Sequence, residues 1–172
     1  MLEPKFTNRL KNGTDVSVQT INSCDEKCIA NEFSKLSDQS KYMRFFSSIN
    51  KLSPSQLKYL TDIDNVNHVL ITISKLGEDD QSGMGLGRYI RLKEQHHIAE
   101  LAITVADRYQ HQGVGTLLLE LLIEHAKGNS IEVLQGYVLK SNMPMLKLFE
   151  LHHFEHSGTE DGLPKYELYL ER

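Results

Sequence analysis

The stretch TVADRYQHQGVGTLLLELLIEHAKG, residues 104–128, decides how the chain is read. It passes from β-branched residues into a turn holding Gly113 and Gly115, and then into a long apolar run. Val114, Leu117, Leu118, Leu121, Leu122 and His125 recur at i, i+3, i+4, i+7, i+8 and i+11, the repeat of a helix whose wide apolar face packs on a sheet. Gly128-Asn129 marks its end. At its start the first backbone N–H groups have no partner inside the helix and the dipole is positive, so this end can cradle an anion. A side chain at either glycine would hold a phosphate off those amides. The same glycines also suit a tight strand-to-helix turn that binds nothing, and the loop alone does not choose between the two readings. Two other glycine motifs are excluded: Leu118 stands where the third glycine of GxGxxG belongs, and no GK[ST] follows.

Outward from this helix the chain alternates between strand and helix signals. Upstream, Glu100–Val105 reads as a central strand, and residues 66–74 and 85–92, on either side of the polar loop GEDDQSG, read as an antiparallel hairpin. Asp15–Ile21 alternates apolar and polar residues after the turn signal Asn12-Gly13. Asp25–Leu36 reads as a helix, and Ser53-Pro54 with Gln56 is a capping box opening a short helix to about Leu60. Downstream, Ile131–Leu139 is a strand, Pro144–Leu151 a helix and Lys165–Leu170 a closing strand. The order implies one α+β domain with antiparallel early strands and a β–α–β segment near residues 100–139. Residues 1–12 read as a flexible start and 13–172 as the domain.

A chain of 172 residues with 40 % hydrophobic and 24 % charged content is expected to form one globular core. A net charge of −4 with no basic stripe argues against nucleic-acid binding. The start MLEPKFTNRL has no apolar export segment, and no run of about 18 apolar residues could span a bilayer, so no membrane partner and a cytoplasmic location are expected. Cys24 and Cys28 fall on one face of a helix and read as reduced thiols. The histidines at 152, 153 and 156 do not read as a metal site, because adjacent residues on a helix point apart.

QHQGVG, residues 110–115, resembles the [RQ]xxGx[GA] signature of the GNAT N-acetyltransferase superfamily, in the strand-to-helix setting that family uses. Asn142, opening NMPMLKLFELHHF, resembles the family's next motif, an Asn followed by a helix and a terminal Gly-Phe; Phe154 is kept and His153 stands at the glycine. SKLSDQSKYMRFFSSINKLSPSQLKYLT, RYIRL and AELAITVAD are similar to the bacterial protein-lysine acetyltransferase branch, and the likeness covers roughly residues 13–170.

The resemblance implies the GNAT fold: a central, mixed but mostly antiparallel sheet flanked by helices, with one parallel strand pair splayed into a slot. It implies acetyl-CoA as co-substrate, no metal, and an amine acceptor, either a protein lysine or a small amine. Gln110, His111, Gln112, Gly113, Val114, Gly115 and Thr116 match the pyrophosphate loop, Ile103, Thr104 and Val105 match the strand that pairs with pantetheine, and Asn142 matches a coenzyme contact. Glu100 matches the branch's proposed general base. Many members carry a Tyr general acid seven residues after the motif Asn; here that residue is Phe149, and Tyr137 and Tyr166, the candidate substitutes, read first as packing residues of their strands. Phe149 and His153 keep open a module that binds acyl-CoA without turnover. Members often pair as homodimers, so a homodimer stays open here, and nothing in the sequence identifies an interface.

Overall fold

The computed structural model describes residues 5–21, 26–77 and 83–171. Cys24, the side chain of Cys28 and most of the GEDDQSG loop lie outside the described residues. Eight strands form a single sheet: β1 (Lys5–Arg9), β2 (Asp15–Thr20), β3 (His68–Lys75), β4 (Gly83–Arg91), β5 (Ile98–Val105), β6 (Val133–Tyr137), β7 (Glu155–Glu160) and β8 (Leu163–Tyr169). Their order is β1-β2-β3-β4-β5-β6-β8-β7. Every neighbouring pair is antiparallel except β5 and β6. This is the mixed α+β architecture expected, with one parallel pair at its centre.

Five helices cover the two faces: α1 (Glu26–Ser34), α2 (Asp38–Phe45), α3 (Pro54–Thr61), α4 (Val114–Gly128) and α5 (Met143–Leu151). Strand alternation sorts the core between them. Val69, Ile71 and Ile73 of β3 and Ala99 and Leu101 of β5 point to α4, where Val114, Leu118, Leu119, Leu121 and Leu122 bury themselves. Leu70, on the opposite face of β3, joins Ile29, Phe33, Leu52 and Leu60 beneath α1 and α3. Leu117, expected on the inward face of α4, is only partly buried, and Leu119 is fully buried instead.

α4 packs directly over glycines of β4. A Cβ on Gly85 would sit 2.8 Å from Val114 Cγ1 and 3.1 Å from Leu118 Cδ1, and one on Gly87 3.0 Å from Leu122 Cδ1. The helix ends with Asn129 as its cap, and the left-handed residue beyond it is Ser130 at φ 57°. The capping box at Ser53 is present as expected, with the Ser53 hydroxyl accepting from the Gln56 N–H and the Gln56 side chain accepting from the Ser53 N–H.

Three elements were not expected. Lys5–Arg9, within the stretch expected to be a flexible start, pair residue by residue with β2 and add an Arg9–Asp15 ion pair at 2.6 Å. The segment after α1 forms a separate helix, α2, capped by Ser37. β7 completes the far edge of the sheet by pairing only with β8.

Candidate active site

The parallel ladder is short. Ile98, Ala99 and Glu100 pair with Val133, Leu134 and Gln135, and no further pairs follow. β5 continues to Val105 with β4 as its only ladder partner, while β6 turns toward β8. A groove of about 550 Å³ opens at this fork. Ile103, Thr104 and Val105 form one wall, and Gln110, His111, Gly113, Gly115 and Thr116 form its end; Asn142 and Leu148 of the α5 region stand opposite, with Ser40 and Arg44 of α2 above. The structure therefore brings nine of the twelve residues singled out from the sequence to one cavity. Gln112 turns away, its amide donating to the Arg108 carbonyl at 2.8 Å. Val114 is buried against the sheet. Glu100 lies on the adjoining face of β5.

The loop's shape follows from its backbone. Gly113 caps α4 at φ 90°, where a Cβ is strained, and nothing lies within 4 Å of the space a Cβ would fill. His111 also takes a left-handed conformation, φ 59°. Gly115 is in the first turn of α4, where an added Cβ would make only ordinary contact with Leu148 and Val105 at 3.5 and 3.7 Å. Its bareness is not required by packing. It leaves the amides at the start of α4 open to the groove.

Side chains lock this end of the groove to α2. Asp107 accepts from the Ser37 N–H at 3.0 Å and from the hydroxyls of Ser37 and Ser40 at 2.6 and 2.9 Å. Gln110 donates to Ser40 Oγ and to the Val105 carbonyl at 3.2 and 3.3 Å. Asn142 caps α5, its Oδ1 accepting from the Met145 N–H at 3.3 Å, and the same residue lines the groove.

Glu100, Ala102 and Thr104 share the face of β5 that looks toward α1–α3, and Arg88 of β4 is the register partner of Ala102. Glu100 is solvent-accessible and does not line the groove, although the surrounding chain partly desolvates its carboxyl. Burial pushes its pKa above the ordinary glutamate value, the guanidinium of Arg88 and then that of Arg44 pull it back, and Glu160 adds to the rise. Arg88 is 9 % exposed, lies over the Tyr59 ring, and its Nη1 has no hydrogen-bond partner. Arg44 is lowered to about 9 by burial and by Arg88, against Glu100 and Tyr59, and so remains a cation at neutral pH.

Arg44 and Arg88 were not singled out from the sequence. The signal for Arg88 was there: a charge in mid-strand, between Gly87 and Tyr89, with apolar Leu86 and Ile90 beyond.

The phenols take different places. Phe149 is 1 % exposed, stacked on Phe154 at 4.1 Å and pressed against Gly136, so the position that could carry an acid is sealed in the core. Tyr166 packs edge-on against Phe149 and His156. Tyr137 donates to Glu160 Oε2 at 2.6 Å; burial first and then Glu160 push its pKa up, with Glu100 contributing, so it holds its proton. His152 is tied to the Leu148 carbonyl and faces Glu120 at 3.7 Å, and His153 sits at φ 62° in the turn after α5, where the resembling motif has glycine.

The family model described as "Acetyltransferase (GNAT) family" matches residues 39–154. The chain is 30 % identical over 118 residues to Acetyltransferase Pat of Mycolicibacterium smegmatis, a match covering 67 % of this chain and 34 % of that longer protein. It superposes on the crystal structure of the GNAT domain of S. lividans PAT with a TM-score of 0.85 and 26 % identity, over 96 % of this chain and 97 % of the other. Salmonella typhimurium yncA, solved with its cofactor acetyl-CoA, shares the fold at a TM-score of 0.67 and 14 % identity over 90 % of this chain and 94 % of the other. With the family model spanning most of the sequence and the fold matching from end to end, the chain belongs to the GNAT acetyltransferase family.

Proposed function

We propose that the chain transfers an acetyl group from acetyl-CoA to a primary amine by direct attack on the thioester. The observation that carries this reading is the fork at Glu100–Gln135, which leaves Ile103–Val105 without a β6 partner beside the amino terminus of α4. The loop fits the coenzyme's pyrophosphate: Gly113 supplies the left-handed cap, Gly115 leaves the amides uncovered, and the dipole of α4 favours the negative charge. The open edge of β5 at Ile103–Val105 holds the amide-bearing pantetheine arm as an added strand. Asn142 serves both as cap of α5 and as a contact near the groove's exit. A fold neighbour with acetyl-CoA as its cofactor is in keeping with this use of the groove.

Glu100 is the general base. An alkyl ammonium has a pKa near ~10.4, so a proton must leave before nitrogen can attack at neutral pH. A carboxylate with a raised pKa accepts that proton, directly or through water, more readily than an ordinary one. The C–N bond forms as the C–S bond breaks, and a backbone N–H in the Ile103–Val105 stretch meets the negative charge growing on the carbonyl oxygen. With Phe149 sealed in the core, no phenol at that position protonates the leaving sulfur. A thiol of pKa about 8.5 leaves as its thiolate without one.

The acceptor class is a primary amine, with a protein lysine and a small amine as the two candidates. The test is thiol release from acetyl-CoA across lysine peptides, amino acids and polyamines, with Glu100→Gln alongside. Turnover with kcat lower by about 10²-fold or more in the variant is expected; coenzyme binding without thiol release for any amine would instead identify a binding module.

A further inference from the structure

The acceptor side of the site has a chemical signature of its own. Beneath α1–α3 lies a second cavity of about 500 Å³, within the range of small-molecule sites, roughly 300–1,000 Å³. Its walls are largely apolar, with Ile29, Phe33, Leu52, Leu60, Leu70 and Leu86 among them. Thr104, Arg44 and Asp107 belong to this cavity and to the coenzyme groove alike, so the two spaces meet beside β5.

The charges on its walls can be accounted for one by one. Glu32 and Lys35 pair with each other at 2.7 Å. Asp107 is engaged by Ser37 and Ser40, and Arg108 lies over the Tyr109 ring. Arg44 and Arg88 also lie over rings, those of Phe45 and Tyr59, but unlike Glu32, Lys35 and Asp107 they have no close polar partner. No carboxylate lies within ion-pairing distance of either among the described residues, and Nη1 of the nine-tenths-buried Arg88 has no hydrogen-bond partner. Glu100 acts on both guanidiniums only from a distance, a buried N–H without a hydrogen-bond partner is costly, and a planar fork of N–H donors is best met by a carboxylate.

Building on the proposed acetyl transfer, we infer that the acceptor is a small primary amine carrying its own carboxylate and an apolar body, an amino acid of the aliphatic class. Its carboxylate answers Arg88 and Arg44, its side chain fills the apolar cavity, and its amine lies toward Glu100. Glu100 is one strand repeat from Ala102, the partner of Arg88, and two residues of strand span about 6.6 Å, a gap that an amino acid with one bridging water covers. A lysine side chain brings a cation and no anion to this pocket.

The test compares leucine, leucinamide and isopentylamine as ligands of the full chain by calorimetry, with and without coenzyme A, at mildly acidic pH where all three amines are protonated. Thiol release from acetyl-CoA is then followed with the same three and a lysine peptide. Leucine is expected to bind about 10-fold or more tightly than the two analogues that lack the carboxylate. Arg88→Met should erase that preference chiefly through a higher KM, and Arg88→Lys should restore part of it. Arg44→Gln, on a half-buried helical side chain, gives the same readout if Arg88→Met fails to fold. Equal binding of all three ligands, an unchanged preference in the variants, or a lysine peptide turned over better than leucine would overturn the inference. Failure of coenzyme A to bind would defeat the acetyl-transfer reading instead, while leucine binding to the chain alone still judges the arginine pocket.

Discussion

Glu100 and Gln135 form the last register pair of the parallel ladder, and one residue later β5 has lost β6 as a neighbour. The proposed base and the opening of the proposed coenzyme groove are therefore fixed by one event in the sheet. A central position in an eight-stranded sheet is rigid, so Glu100 is held relative to Ile103–Val105 by the β4 ladder.

As the proposed base, Glu100, with its raised pKa, should set the acid limb of activity. The protonated carboxyl cannot accept a proton, so kcat should fall as pH drops through that pKa, at a midpoint above the ordinary glutamate value of about 4.3. A pH–rate profile checks this. Glu100→Gln should remove the limb together with most of the rate, and a limb surviving in the variant would assign it to another group.

Gly85→Ala tests the seating of α4. The methyl would meet Val114 Cγ1 at 2.8 Å and the Thr104 carbonyl at 3.2 Å, an overpacking that costs about 1–3 kcal/mol. Urea denaturation should show that loss, and coenzyme affinity should fall with it, because Val114 begins the helix whose first turn closes the groove.

His153→Gly should stabilise the protein by about 1 kcal/mol, since a left-handed residue after a helix favours glycine. Thermal denaturation reads this as a rise of about 2–4 °C. With its side chain away from the groove, acetyl-CoA binding should not change.

Asp64 organises the turn into β3. Burial would raise its pKa, but N–H groups of His68, Val66 and Asn67 at 2.8, 2.9 and 2.7 Å and the Asn67 side-chain amide outweigh that and hold it at about 2. A depressed carboxyl contributes stability above its unfolded pKa, about 3.9, that disappears as pH falls toward 2. Denaturation midpoints between pH 5 and 2 should decline less steeply in Asp64→Ala than in the parent, from a lower starting stability.

Local chemistry explains which parts of this architecture the sequence showed. β5, the glycine turn and α4 were legible because periodicity, caps and glycines agree over residues 100–128, and the capping box at Ser53 was legible for the same reason. β7 was not: EHSGTE is an exposed polar edge, defined only by its pairing with β8. β1, KFTNR, half exposed, is likewise held by its partner strand. α2 is polar in sequence and anchored by Asp107, far along the chain, a contact no local pattern announces. The arginine pair escaped notice because Arg44 and Arg88 come from different elements and meet only across the fold.

The most direct measurement of the central claim is calorimetric titration of acetyl-CoA into the parent and Gly115→Ala. Alanine is the better helix former by up to about 1 kcal/mol, and its methyl makes only ordinary contacts with Leu148 and Val105, so the variant should unfold at the same temperature or higher. If the amides opening α4 hold the coenzyme's pyrophosphate, the methyl stands in its way, and affinity should fall by about 10-fold or more. An equally stable variant that binds acetyl-CoA as tightly as the parent would contradict the account.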